Sequence, residues 1–260
     1  MERTEYETLA NTETAHWWFR GMRALTAALL DPLYEAKRDR RILDAGCGTG
    51  GNVRFLQRYG SVVGLDQAPE SFEFWPPHHR YGHLVRGSVL YLPFPDEQFD
   101  LVTSFDVLYH RGVPDELEAL GEMHRVLRPG GRVLIRLPAY EFLRSKHDRA
   151  VHTRRRYTIS QVRELLHEAG FFIEYCSYVN SLLFPLALAQ RMFERAIPAL
   201  EQQQSDLTLL PPLLNGLLQW PLELEATWVG LRKTLPAGLS ILCLAHCGKL
   251  ERVVVRGAQR

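Results

Sequence analysis

The sequence predicts an α/β protein built on a mostly parallel sheet. Between residues 41 and 178, short apolar strand-like runs alternate with segments of helical period, the rhythm of successive βαβ units. The first of these runs empties into a cluster of glycines that opens a helix. At 260 residues and 46% hydrophobic composition, the chain can also bury the two-sided core that a parallel sheet demands.

Residues 41–45 are the first strand, and 53–58 continue as a helix beyond the glycines. The second strand is 61–66, the third, weaker, is 83–87, and the fourth is 99–105. Apolar positions Leu117, Leu120, Met123 and Leu127 mark a helix over 114–127 that Pro129, Gly130 and Gly131 end, and 132–137 is the fifth strand. A helix over 158–170 follows, with Ser160 as N-cap and Gly170 as its stop, and then a strand over 171–178. Residues 1–40 stand outside the alternation, with the aromatic cluster His16-Trp17-Trp18-Phe19 and a helix over 22–30. Residues 180–236, rich in Leu and Pro, read as short helices, and 239–245 is a closing strand.

Composition narrows the partners. Thirty-one Lys and Arg against 30 Asp and Glu leave a net charge of +1, so no overall field draws the chain to nucleic acid. Four scattered cysteines are no secreted disulfide framework, and no leader-like segment is visible, so a cytoplasmic location is expected. The longest uncharged stretches, 175–190 and 207–222, contain Asn and Pro and fall short of a span, which leaves at most peripheral membrane contact. No closed metal-ligand spacing appears; Cys243, His246 and Cys247 fall on a strand and read as core.

Residues 44–51, Asp-Ala-Gly-Cys-Gly-Thr-Gly-Gly, follow a strand and precede a helix, the context in which backbone N–H groups and a helix N-terminus receive a nucleotide. Asp66 ends the second strand, where a carboxylate can accept from ribose hydroxyls. Gly46, Gly48 and Gly51 satisfy the dinucleotide pattern, whereas Gly46, Gly48 and Gly50 satisfy Asp-x-Gly-x-Gly-x-Gly, so the loop alone leaves the cofactor open.

Four stretches in order, 42–50, 63–66, 92–102 and 127–131, make residues 41–178 resemble the class I S-adenosylmethionine-dependent methyltransferases. The resemblance implies a Rossmann-like, doubly wound sheet of seven strands with an antiparallel last strand. With the alternation read along the chain, the expectation is one domain over 1–260: an N-terminal cap (1–40), a cofactor-binding core (41–178 and 237–250) and a helical insertion or lid (179–236). S-adenosylmethionine would lie with its amino-acid end over Gly46, Cys47 and Gly48, its ribose on Asp66, and Gln67 beside the adenosine. Ser88, Val89 and Phe105 would surround the adenine, Ser88 standing where the family most often has an acidic residue. Trp18 and Arg23 would cap the cofactor.

Methyl transfer is an in-line displacement helped by positioning and, for a hydroxyl acceptor, by a base. Candidate bases are His110, after the fourth strand, and His147 and His152, after the fifth; Arg155, Arg156 and Tyr157 are candidates for binding an anionic acceptor. The expected activity is methyl transfer to a small-molecule or lipid- or glycan-linked acceptor, by a monomer or homodimer. The alternatives are an NAD-dependent oxidoreductase using the same glycine loop, against which no Tyr-x-x-x-Lys appears after the fourth strand, and a non-catalytic partner module of the same fold.

Overall fold

The computed structural model describes residues 2–34, 37–75, 82–196 and 209–248. In chain order the strands are β1 (Arg40–Ala45), β2 (Gly60–Asp66), β3 (Gly82–Arg86), β4 (Phe99–Phe105), β5 (Leu127–Pro138), β6 (Phe171–Val179) and β7 (Ser240–Cys247). The helices are α1 (Arg3–Thr12), α2 (Trp17–Tyr34), α3 (Gly51–Leu56), α4 (Pro69–Glu73), α5 (Glu116–Val126), α6 (Lys146–Ala150), α7 (Ile159–Glu168), α8 (Phe184–Ala196) and α9 (Pro212–Gly230).

The strands form one seven-stranded sheet in the order β3-β2-β1-β4-β5-β7-β6. Strands β3, β2, β1, β4 and β5 pair in parallel in that order, and β7 runs antiparallel between β5 and β6. The Rossmann-like architecture with an antiparallel last strand is therefore present. Parity along the strands divides the core: Leu43, Val102, Val133 and Ile135 pack on one face, and Ile42, Leu101, Leu134 and Leu244 on the other.

Three local expectations are corrected. Strand β5 begins at Leu127, so Pro129, Gly130 and Gly131 lie inside it; a register shift between Phe99 and Leu101 absorbs the irregularity, with Gly130 at a φ of 76°. The cap of α7 is Thr158 and not Ser160, because Thr158 is extended and closes a reciprocal capping box with Gln161. Among the described residues of 180–236 the helices are substantial, α8 of 13 residues and α9 of 19.

Helix α2 covers the Ile42 face of the sheet, and α9 packs on α2. A Cβ at Gly21 would meet Leu222 Cδ1 at 2.2 Å, so glycine is what allows the two helices to approach. Asn215 on α9 grips the turn between α1 and α2: its Oδ1 accepts from Trp17 N at 2.8 Å and its Nδ2 donates to Ala15 O at 3.0 Å. The N-terminal helices and the helix inserted before β7 thus brace each other.

Candidate functional site

The site stands at the carboxyl ends of β1, β2, β4 and β5. Gly46, Gly48 and Gly50 have φ of 86°, 54° and 89°, conformations open to glycine at little cost. Gly46 N and Cys47 N donate to Leu65 O at 2.7 and 3.0 Å, which turns the loop across the end of β2. Burial pushes the Cys47 thiol well up, so it stays protonated.

Both oxygens of Asp66 accept backbone amides, Oδ2 from Gly48 at 2.9 Å and Oδ1 from Ala68 at 3.0 Å. A carboxylate has about four acceptor positions, so two remain for ribose hydroxyls. Gln67 is exposed beside it. Its Nε2 would stand 2.9 Å from a Cβ placed on Gly112, so its side chain reaches towards the loop after β4. Ser88 Oγ accepts from Leu90 N at 3.2 Å, which keeps its hydroxyl proton available to donate.

The expected adenine group is divided by the sheet. Val89 is buried with Leu65, Leu92 and Leu108, whereas Phe105 belongs with Met22, Cys47 and Leu134 on the opposite face. Phe105 instead underlies Arg136, whose guanidinium carbon is 5.0 Å from its ring and 4.8 Å from the ring of Trp18. Trp18 is therefore clamped over the site by a stacked cation, and Asp106 pairs with that cation at 2.5 Å.

Helix α1 lies over the loop. A Cβ at Gly48 would find Leu9 Cδ2 nearest, at 3.6 Å, which leaves room above the amide plane. Glu13 Oε2 accepts from Gly51 N at 3.2 Å, and Arg23 interacts with Glu13. Arg23 Nε and Asp44 Oδ2 are buried, and neither has a hydrogen-bond partner. Asp44 Oδ1 accepts from Thr103 at 2.7 Å, and burial raises the Asp44 carboxyl to about 7. One unused cationic donor and one unused carboxylate oxygen at the same loop fit the carboxylate and ammonium of an amino acid. Composition and spacing did not single out Glu13, Asp44 as a ligand, Asp106 with Arg136, or Leu9; for α1 no motif marks residues whose partners are 38 or more positions away.

His110 and His152 come together, with ring centroids 5.7 Å apart and an antiparallel bridge from His110 to Thr153. His110 Nδ1 accepts from Gly112 N at 2.9 Å, so a neutral His110 carries its proton on Nε2 and presents a donor, which corrects its reading as a base. Burial, first, and neighbouring positive charge lower its pKa to about 4. The backbone of His147 lies in α6; its side chain is outside the described residues.

The arginine cluster is corrected too. Arg156 makes a two-pronged pair with buried Asp148, at 2.9 and 3.0 Å, and donates to Ala139 O at 3.1 Å. Arg154 and Arg155 both pair with Glu116. Tyr157 is 1% exposed, and its hydroxyl donates to Glu116 at 2.6 Å. These groups are committed to carboxylates of the chain itself, and they brace the loop that carries His152. At the same edge, Tyr140 stacks on Tyr178 at 4.9 Å and on Phe142 at 5.1 Å, with Phe184 at 5.8 Å. Among the described residues, no three His, Cys, Asp or Glu side chains converge as a metal site.

Comparison with known proteins agrees with this geometry. Residues 43–135 match the family model of the methyltransferase domain. The chain is similar to demethylmenaquinone methyltransferase of Staphylococcus haemolyticus, with 41% identity over 101 residues that are 36% of this chain and 41% of that protein. A Mycolicibacterium smegmatis protein, named a probable S-adenosylmethionine-dependent methyltransferase, is 29% identical over 175 residues, 66% of this chain and 65% of that one. These matches span less than two thirds of the relatives' own length. A solved structure of Haemonchus contortus phosphoethanolamine N-methyltransferase 2 with S-adenosyl-L-methionine shares the fold, with a TM-score of 0.55 at 18% identity, covering 82% of this chain and 50% of that one. Matched residues, loop and sheet together define a methyltransferase domain over residues 43–135 on a Rossmann-like fold, and S-adenosylmethionine is the cofactor of such a domain.

Proposed function

We propose that this protein transfers a methyl group to a small-molecule acceptor with a ring or other apolar body. The observation that carries the reading is the pair of unused buried atoms, Arg23 Nε and Asp44 Oδ2, at one glycine loop. S-adenosylmethionine, when bound, supplies an electrophilic methyl on a sulfonium. Arg23 would bind its carboxylate, Asp44 would accept from its ammonium end and Asp66 from its ribose hydroxyls, with Gln67, Ser88 and Val89 on the adenosine side.

The chain's own part is then positional. Trp18, held by Arg136, and Leu9 keep water from the reacting face. His110 donates from Nε2 to the acceptor's oxygen, and His152 beside it is the group placed to take a proton from a hydroxyl. The wall of Tyr140, Phe142 and Tyr178 suits a flat acceptor, which supports carrying over the acceptor class in the name of the demethylmenaquinone relative. A lipid tail on that acceptor is part of the same proposal.

Thermal-shift titration with S-adenosylmethionine, S-adenosylhomocysteine and NAD tests the cofactor half. Stabilisation by the first two and loss of it in Asp66→Ala is expected; a response to NAD alone would sink the reading in favour of an oxidoreductase. Release of S-adenosylhomocysteine with a ring-bearing hydroquinone, reduced in His152→Ala, tests the acceptor half.

A further inference from the structure

Helix α9 is apolar on two opposite sides. Leu222, Ala226 and Val229 are buried on one. The other carries Leu213, Leu217, Trp220, Leu224, Trp228 and Leu231, aligned by three- and four-residue spacing. These side chains are 84, 64, 61, 49, 46 and 64% exposed, so the stripe is continuous and wet over about 27 Å of helix.

An apolar stripe of this extent marks a binding surface. No charge interrupts it, and it ends at exposed Arg232 and Lys233, with the Lys233 ammonium 4.6 Å over the ring of Trp228. No helix among the described residues is long and apolar enough to cross a membrane. Two tryptophans with a polar edge, leucines between them and a cationic end are instead the composition of a helix lying in the plane of a lipid interface. Here the protein core replaces the polar face that such a helix normally turns to water. We propose that this face of α9 docks on an anionic lipid surface.

Charge decides against a second copy as the occupant. In an antiparallel two-fold pairing of α9 with itself, Arg232 and Lys233 would meet the apolar helix start at Pro212 and Leu213, and in a parallel one they would meet each other, in neither case with a counter-charge. Lipid phosphates supply that counter-charge. The proposal does not rest on the methyl-transfer reading, since neither the stripe nor its cations touch the cofactor loop.

Flotation of the full chain with vesicles tests it. Binding to phosphatidylcholine vesicles containing one-third phosphatidylglycerol, weakened by salt, is expected. The double variant Trp220→Glu/Trp228→Glu should lose about tenfold or more of that binding, and Arg232→Gln/Lys233→Gln should lose the preference for the anionic vesicles. Retention of the S-adenosylhomocysteine thermal shift certifies that each variant is folded. Failure of the wild-type chain to float with either vesicle overturns the proposal, as does unchanged flotation of the tryptophan variant. Dimers in light scattering that the tryptophan variant abolishes would overturn it in favour of a second copy.

Discussion

Asp44 and His110 are tuned in opposite senses, and each makes a testable statement about pH. Burial holds the Asp44 carboxyl up to about 7. A neighbouring ammonium favours its ionised form, so cofactor affinity should rise as pH climbs through about 7 and flatten above it. Calorimetric titration at successive pH values checks this. Asp44→Asn should remove the rise and weaken binding about tenfold, the scale of one charged hydrogen bond. For His110, whose pKa falls from 6.5 in the unfolded chain to about 4 in the fold, the unfolded state binds more protons between those values. Its contribution to stability is whole above about 6.5 and is lost as pH falls towards 4. Melting temperatures at pH 7 and 5 should therefore differ less in His110→Gln than in the wild type.

Arg156 illustrates why a charged cluster in sequence misleads about its role. Three consecutive arginines after a strand look like an anion site, yet two buried carboxylates contributed by α5 and α6 consume them. Nothing in the spacing of Glu116 or Asp148 announces that. The pairs also hold Asp148 below its ordinary range: burial opposes ionisation, and the Arg156 guanidinium outweighs it. Arg156→Ala would strand Asp148 and should cost about 3–5 kcal/mol in urea unfolding, well beyond an exposed arginine.

At the scale of elements, the close approach of α2 and α9 rests on one missing Cβ. In an open helix Gly→Ala gains about 1 kcal/mol, but at Gly21 the new carbon meets Leu222 Cβ at 2.6 Å as well as Cδ1. The clash outweighs the propensity, and Gly21→Ala should be destabilising by about 1–3 kcal/mol in chemical denaturation. Leu222→Ala in the same chain should cost less than it does in the wild type, because the two sites share one contact. The strands were legible because each short apolar run is bounded by glycine, proline or polar residues. The glycine loop was legible because its conformation needs glycine at 46, 48 and 50. The contacts of α1 and α9 were not. Glu13 on Gly51 and Asn215 on Trp17 join residues 38 and 198 apart, and pattern within a window carries no such pairing.

For the whole molecule, the consequence is that the two additions to the core act as one part. Asn215 holds the turn from which α1 extends over the glycine loop, so α9 controls a cap whose residues Leu9 and Glu13 meet that loop directly. Asn215→Ala removes two side-chain hydrogen bonds, each worth about 1 kcal/mol. The core should stay folded, since both side-chain hydrogen bonds of Asn215 go to the turn. The cap should open more often, and cofactor affinity falls by the fraction of time the binding-competent arrangement is lost. A roughly five- to thirty-fold rise in the dissociation constant of S-adenosylhomocysteine is expected, with faster amide exchange confined to residues 3–20. Exchange accelerated equally across β1, β4 and β5 would mean that Asn215 supports the fold as a whole. The confined pattern would make α9 the element through which events at its exposed face reach the cofactor.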